Sequence, residues 1–321
     1  MLEELALTSR YGLLIIVQSI LYGLMDALLK LVYRDVPVSC FLSVRFVLAV
    51  LIFLALWHKT ILADLKSAPL RSYLLPCACL AASTVACNMA VQLTDVSTVV
   101  FLKSLSCALT PLLLILLFHQ QCTGKDIALC LCITTGLFLL CTKNGLPQFG
   151  GGEVLALTAA VLLALSLIYS ARSLTKVHAT TLSFVQTACA AVICLVMGLA
   201  QGGWSGQSLA LVFTERNLVI LVYGIIGCTI GGYLLQNIAL PHLSARTTGL
   251  LQGTYPVCAA LFAWGILGES MTARALCGAA LILLSSLAAA GHQHEAQNAA
   301  RSQADVLVPH HSGRRLSARQ Q

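Results

Sequence analysis

The chain has 321 residues, 58% hydrophobic and 10% charged, with a formal net charge of +7 and a mean hydropathy of +0.88. A soluble domain carries about 25% charged residues, so a solvated globular surface is excluded. The cations are scattered between apolar blocks, which excludes a nucleic-acid-binding face and points to membrane topology.

The N-terminus carries Glu3, Glu4 and one cation, Arg10, and runs into an apolar stretch with no small-residue cleavage site. That stretch is read as a first span, not as a cleaved signal. A helix needs about 20 apolar residues to cross a bilayer. The expected spans are 11–33, 38–57, 72–92, 96–118, 126–142, 154–171, 179–200, 218–238, 245–268 and 273–290. Turn or charged residues separate them, among them Asp35 to Pro37, His58 to Arg71, and Gly150 to Glu153. Short links make antiparallel neighbours. Of the 14 cysteines, most lie inside apolar runs and no CxxC occurs, so they read as small hydrophobes. Neither a metal nor a cofactor is expected. The segment 291–321 is polar and aperiodic, which predicts a disordered tail.

With the N-terminus in the cytoplasm, 12 Lys and Arg residues fall in inside segments and 4 in outside loops. This bias predicts both termini inside. Lys30, Arg45 and Lys103 lie within spans.

Glycines 150–152 divide the chain into 1–145 and 146–290, with five spans in each. An odd number per half forces the two into opposite orientations if they are repeats. They do resemble each other. AVQLTDVSTVVFLKSLSCALTP at 90–111 and NIALPHLSARTTGLLQGTYP at 237–256 each end one span, break at Ser97 or Ser244, and lead through a helix to Pro111 or Pro256. Thr123 and Thr272 follow at matching places. The expected fold is therefore an all-α integral membrane protein of ten transmembrane helices, built as two inverted five-helix repeats. Proline removes a backbone hydrogen bond and kinks a helix, so Pro111 and Pro256 are candidate hinges.

The chain resembles EamA-type members of the drug/metabolite transporter (DMT) superfamily. The resemblance rests on Tyr22-Gly23, Lys30, Pro37, Arg45-Phe46 and the 90–111 stretch. In the second half it rests on Gln236 to Pro256, Leu267-Gly268-Glu269, Thr272 and Gly278. Gln120 departs from it, standing where the family often has the Glu found here as Glu269. The resemblance implies a ten-helix bacterial inner-membrane transporter, often an exporter of amino acids or similar small metabolites, with a cavity between the halves. It names no substrate.

An ionised group at membrane depth costs ~2.5–3.5 kcal/mol, so the intramembrane charges need partners. Asp26 and Lys30 are four apart and share a face. With Arg45 and Lys103 they place three cations and one anion in one layer, a potential that favours a substrate carboxylate or phosphate. Lys103 has no evident partner on its own helix. Thr248, Gln252 and Tyr255 share a face of the ninth span, and Gln236 ends the eighth. Tyr22 and Asn88 are further candidates for substrate contact. Asp26 and Glu269 are candidates for proton coupling. Glu269 also reads as a helix cap.

There is no phosphate-binding Gly loop, HExxH or GxSxG, so no catalytic residues are expected and transport would run on ion gradients or exchange. The sequence leaves open a monomer or a homodimer. It also leaves two rival readings: a nucleotide-sugar or sugar-phosphate exchanger of the same superfamily, and a lipid-linked-substrate flippase or membrane enzyme.

Overall fold

A computed structural model describes residues 2–94, 96–119, 123–141, 150–268 and 272–289. Among the described residues the chain is helical with no strand. The helices are α1 (Leu2–Val32), α2 (Val38–Ser67), α3 (Arg71–Leu93), α4 (Val96–Ser104), α5 (Ser106–Phe118), α6 (Gly124–Cys141), α7 (Gly151–Ser173) and α8 (Ala179–Ala200). A short α9 (Gly206–Val212) follows, then α10 (Glu215–Tyr223), a π-helix (Gly224–Gly231), α11 (Gly232–Ala239), α12 (Ala245–Gln252) and α13 (Tyr255–Leu267). Ala273–Ala289 forms α14.

Each expected block is helical. Among the described residues seven helices are long and apolar enough to cross a membrane: Arg10–Val32, Val38–Ser67, Thr98–Leu117, Gly151–Ser173, Ala179–Ala200, Glu215–Ala239 and Ala245–Leu267. Arg71–Cys87 and Ala273–Ala289 are apolar but shorter.

Side-chain ties at helix ends fix an up-and-down arrangement, because each joins links that the chain order puts at one end of the bundle. At one end, Tyr11 stacks on His242 with centroids 3.8 Å apart. There too, Asp64 accepts from the His178 backbone N–H at 2.8 Å and the Thr181 hydroxyl at 2.6 Å, and Arg246 Nη1 lies 2.8 Å from Asp126 Oδ2. At the other end, Arg216 Nη2 reaches Asp35 at 2.6 Å and the Thr94 hydroxyl donates to Glu153. The Glu153 carboxylate also accepts from the Gly150 backbone N–H at 2.9 Å, capping α7.

The halves interlock, with α3 along α7, α2 along α8 and α1 along α13. α6 and α14 cross where both are glycine: a Cβ on Gly136 would lie 2.9 Å from the Gly278 carbonyl oxygen. Without a hydrophobic driving force between helices in lipid, close backbone approach through small residues supplies the contact.

The repeat is visible in backbone detail. Thr123 Oγ1 accepts from Asp126 N at 3.3 Å and starts α6, and Thr272 Oγ1 accepts from Ala275 N at 3.2 Å and starts α14. Four residues before each threonine the chain leaves a helix through a left-handed residue, His119 (φ 50°) after α5 and Gly268 (φ 67°) after α13. Only glycine takes this conformation without steric cost. His119→Gly is therefore expected to stabilise the protein by about 1 kcal/mol, read as a higher midpoint of thermal unfolding in detergent.

Candidate functional site

α1 carries Gln18, Tyr22, Asp26 and Lys30 at intervals of four, one stripe along a single face. Gln18 is buried, Tyr22 and Asp26 are half-buried, and Lys30 is exposed. Opposite the stripe lie α11, α12 and the start of α13.

Tyr255, the first residue of α13, donates its hydroxyl to Asp26 Oδ2. Lys103, near the end of α4, holds its ammonium 6.0 Å from the centroid of the same ring. One tyrosine thus gathers a carboxylate on α1 and an ammonium on α4. Lys103 has no hydrogen bond or ion pair with any described residue.

Arg45 on α2 is 8% exposed. Its Nε–H is shared between the Gly224 carbonyl at 3.1 Å and Thr229 Oγ1 at 2.9 Å. Both acceptors belong to the π-helix, so Arg45 ties the first half to the second. The guanidinium lies 5.5 Å from the Phe46 ring centroid, and its two terminal nitrogens have no described protein partner.

The other pole of the site is uncharged. Gln236 Oε1 accepts from Gln18 Nε2 and from Gln252 Nε2, each at 2.8 Å, which joins α1, α11 and α12. Gln18 Oε1, the Tyr22 hydroxyl and the Thr248 hydroxyl are buried with no hydrogen bond of good geometry, although the Gln18 amide lies within reach of the Tyr22 hydroxyl one turn along α1. The Tyr22 ring fits against Gly232, where a Cβ would come within 2.5 Å of it.

Sequence reasoning brings Asp26, Lys103, Arg45, Lys30, Tyr255, Gln252, Gln236, Tyr22 and Thr248 into this region, and the structure places them on its facing helices. It missed Gln18, whose partner is 218 positions away, and the π-helix at Gly224–Gly231 that receives Arg45. Asn237, next to Gln236, points elsewhere. It donates to Ser183 Oγ at 2.8 Å and Gln186 Oε1 at 2.9 Å, a buried tie to α8. Glu269 and the side chain of Asn88 lie outside the described residues, as do Gln120 and the tail from 291.

The helix breaks fall before the two candidate hinge prolines. The first half breaks at Leu105, where Leu105 N bonds to Leu102 O at 3.2 Å in a tighter turn, and α5 runs unbroken through Pro111. The kink falls before the proline. The second half breaks at Gly253 and Thr254, and Pro256 sits in the first turn of α13, where its missing N–H has no helical partner to lose. The two breaks flank Lys103 and Tyr255. Among the described residues no His, Cys, Asp or Glu cluster suits a metal.

The model of the EamA-like transporter family matches residues 10–142 and again 150–290. A solved structure, titled only as a crystal structure of a protein, superposes with TM-score 0.70 at 16% identity, covering 87% of this chain and 95% of that one. At that identity it shows the shared fold alone. No curated protein matches the chain.

Proposed function

The chain belongs to the EamA-like transporter family, and on that premise we propose that it is a secondary active transporter for a small polar metabolite. Ten helices, in halves 1–145 and 146–290, would alternate access to the site, with both termini on the cytoplasmic side of a bacterial inner membrane. We take the compound to be amino-acid-like and the direction of transport to be export. The breaks at Leu105 and Gly253 would supply the hinges, and proton or exchange coupling would run through Asp26, with Glu269 as a second candidate.

One observation carries the proposal: Tyr255 holds Asp26 of the first half by its hydroxyl and lies beneath Lys103. Charges at membrane depth are costly and mark substrate or ion pathways. In proteoliposomes loaded with amino acids, organic acids or cations, an imposed proton gradient is expected to drive flux of at least one solute. Absence of flux across the panel would reject the proposal. Tyr255→Phe removes a hydrogen bond to a charged group, worth about 1.5–3 kcal/mol, so that flux is expected to fall about 10- to 100-fold at unchanged expression.

A further inference from the structure

Two pairs of residues at the π-helix are spaced five apart, and each pair meets a single partner. The Tyr223 hydroxyl and the Cys228 thiol both donate to the Leu21 carbonyl of α1, at 3.0 and 3.3 Å. The Gly224 carbonyl and Thr229 Oγ1 both accept from Arg45 Nε on α2, and the Thr229 hydroxyl donates to that same carbonyl at 3.0 Å. In an α-helix, residues five apart point about 140° away from each other. A threonine hydroxyl there bonds back to the carbonyl three or four positions earlier. The wider turn bonds i to i+5, as the Gly232 N–H does to the Gly227 carbonyl, and it brings both pairs onto common faces.

The register of this segment sets what α11 presents. Gln236 turns to α1 and α12, where it accepts from Gln18 and Gln252. Asn237 turns to α8. Relaxing one wide turn to α would rotate α11 by one residue's worth, about 100°. Leu235 would then take the place of Gln236, and the acceptor that joins Gln18 to Gln252 would be lost. Packing alone does not oppose this shift. The Tyr22 ring lies against Gly232, and the residue before it is Gly231, so the ring would meet a glycine in either register. Gln236 would arrive where Asn237 stands, again as an amide. The register is therefore chosen by the hydrogen bonds at the wide turn, and the charged, stronger donor among them is Arg45.

We infer that Thr229 is a positioning residue: with Arg45 it holds the π register, and that register aims Gln236 rather than Leu235 into the site between α1, α11 and α12. Thr229 is buried and acts through Gln236. Its bearing on solute affinity rests on the transport reading; its hold on the register does not.

The test is a double-variant cycle on the full-length protein in nanodiscs, read by thermal unfolding. Variants at sites that share no partner are normally additive. Gln236→Leu alone is expected to lower the melting temperature by about 2–4 °C. In a Thr229→Val or Thr229→Ala background the same change is expected to lower it by less than about 1 °C, because Gln236 has already turned away. Thr229→Ser, which keeps the hydroxyl, is expected to restore the full shift. Additive shifts overturn the inference, as does Thr229→Ser behaving like Thr229→Val. For a panel solute that the proteoliposomes carry, KM is expected to rise about 5-fold, the worth of one hydrogen bond, in Gln236→Leu and in Thr229→Val, and no further in the double variant. An unchanged KM in Thr229→Val also overturns the inference. If no panel solute moves, the transport reading falls and the thermal cycle alone decides whether Thr229 sets the register.

Discussion

Gly23→Ala is expected to disrupt the bundle. A Cβ on Gly23 would lie 2.6 Å from the backbone nitrogen of Ala259 and 2.8 Å from the carbonyl carbon of Cys258. Both are backbone atoms of α13, so no rotamer change relieves the overlap and the two helices must part. Overpacking of this kind costs about 1–3 kcal/mol and occasionally more. Asp26 lies three residues beyond Gly23, and Tyr255 lies on the facing helix, so separation also pulls the carboxylate from its phenol. Either the monodisperse peak in detergent is lost or the melting temperature drops by roughly 5–10 °C, with transport falling more steeply than folding. Gly265→Ala is the control: on the same α13, a Cβ there meets nothing within 4 Å, and a near-neutral result is expected. A neutral Gly23→Ala would mean that α1 and α13 do not approach this closely.

Arg246→Met is the second large effect. The Arg246 and Asp126 side chains are 18% and 6% exposed and join α12 to α6 across the halves. Asp126 Oδ2 also accepts from the Thr123 N–H at 2.9 Å and the Thr123 hydroxyl at 2.8 Å. Removing one partner of a buried pair costs about 3–5 kcal/mol, because the other charge is left buried, whereas replacing both by apolar groups is often neutral. The repeat contains that replacement. Counting two residues on from Ser97 and Ser244, and three on from Thr123 and Thr272, sets Val99 against Arg246 and Ala275 against Asp126. Val99 and Ala275 are 1% and 9% exposed and share one apolar cluster. The double variant Asp126→Leu with Arg246→Met is therefore expected to recover most of the loss, read by thermal unfolding of all three variants. A double variant as unstable as the single one would refute this account.

Much of this was legible in the chain because membrane helices announce themselves by composition. The apolar blocks marked the helices. The pairing of Ser97 with Ser244 and of Thr123 with Thr272 marked a repeat, and the two threonines reappear as matching caps. Asp26, Lys103 and Tyr255 stood out because charge and hydroxyl at bilayer depth demand partners. What stayed hidden depended on partners distant in sequence or on backbone geometry without a pattern. Gln18 is one amide in an apolar run until Gln236 is seen to accept from it. The π-helix leaves no periodicity to read, and its Gly224 carbonyl became meaningful only with Arg45 upon it. Pro111 drew attention as the known helix breaker, yet the break belongs to Leu105. Asp64, inside a segment read as a link, and Asp126, the first residue of an expected span, are both buried and bonded.

The unpartnered Lys103 has a thermodynamic consequence for handling the protein. A half-buried ammonium without a hydrogen-bond acceptor raises the free energy of the empty state, so whatever solute binds it shifts the folding equilibrium by mass action. At a concentration 100 times its Kd, such a ligand contributes about 2.7 kcal/mol of stability. Stripping the protein of small solutes during purification would then leave its least stable form, and the solute that restores its lifetime in detergent identifies itself by doing so.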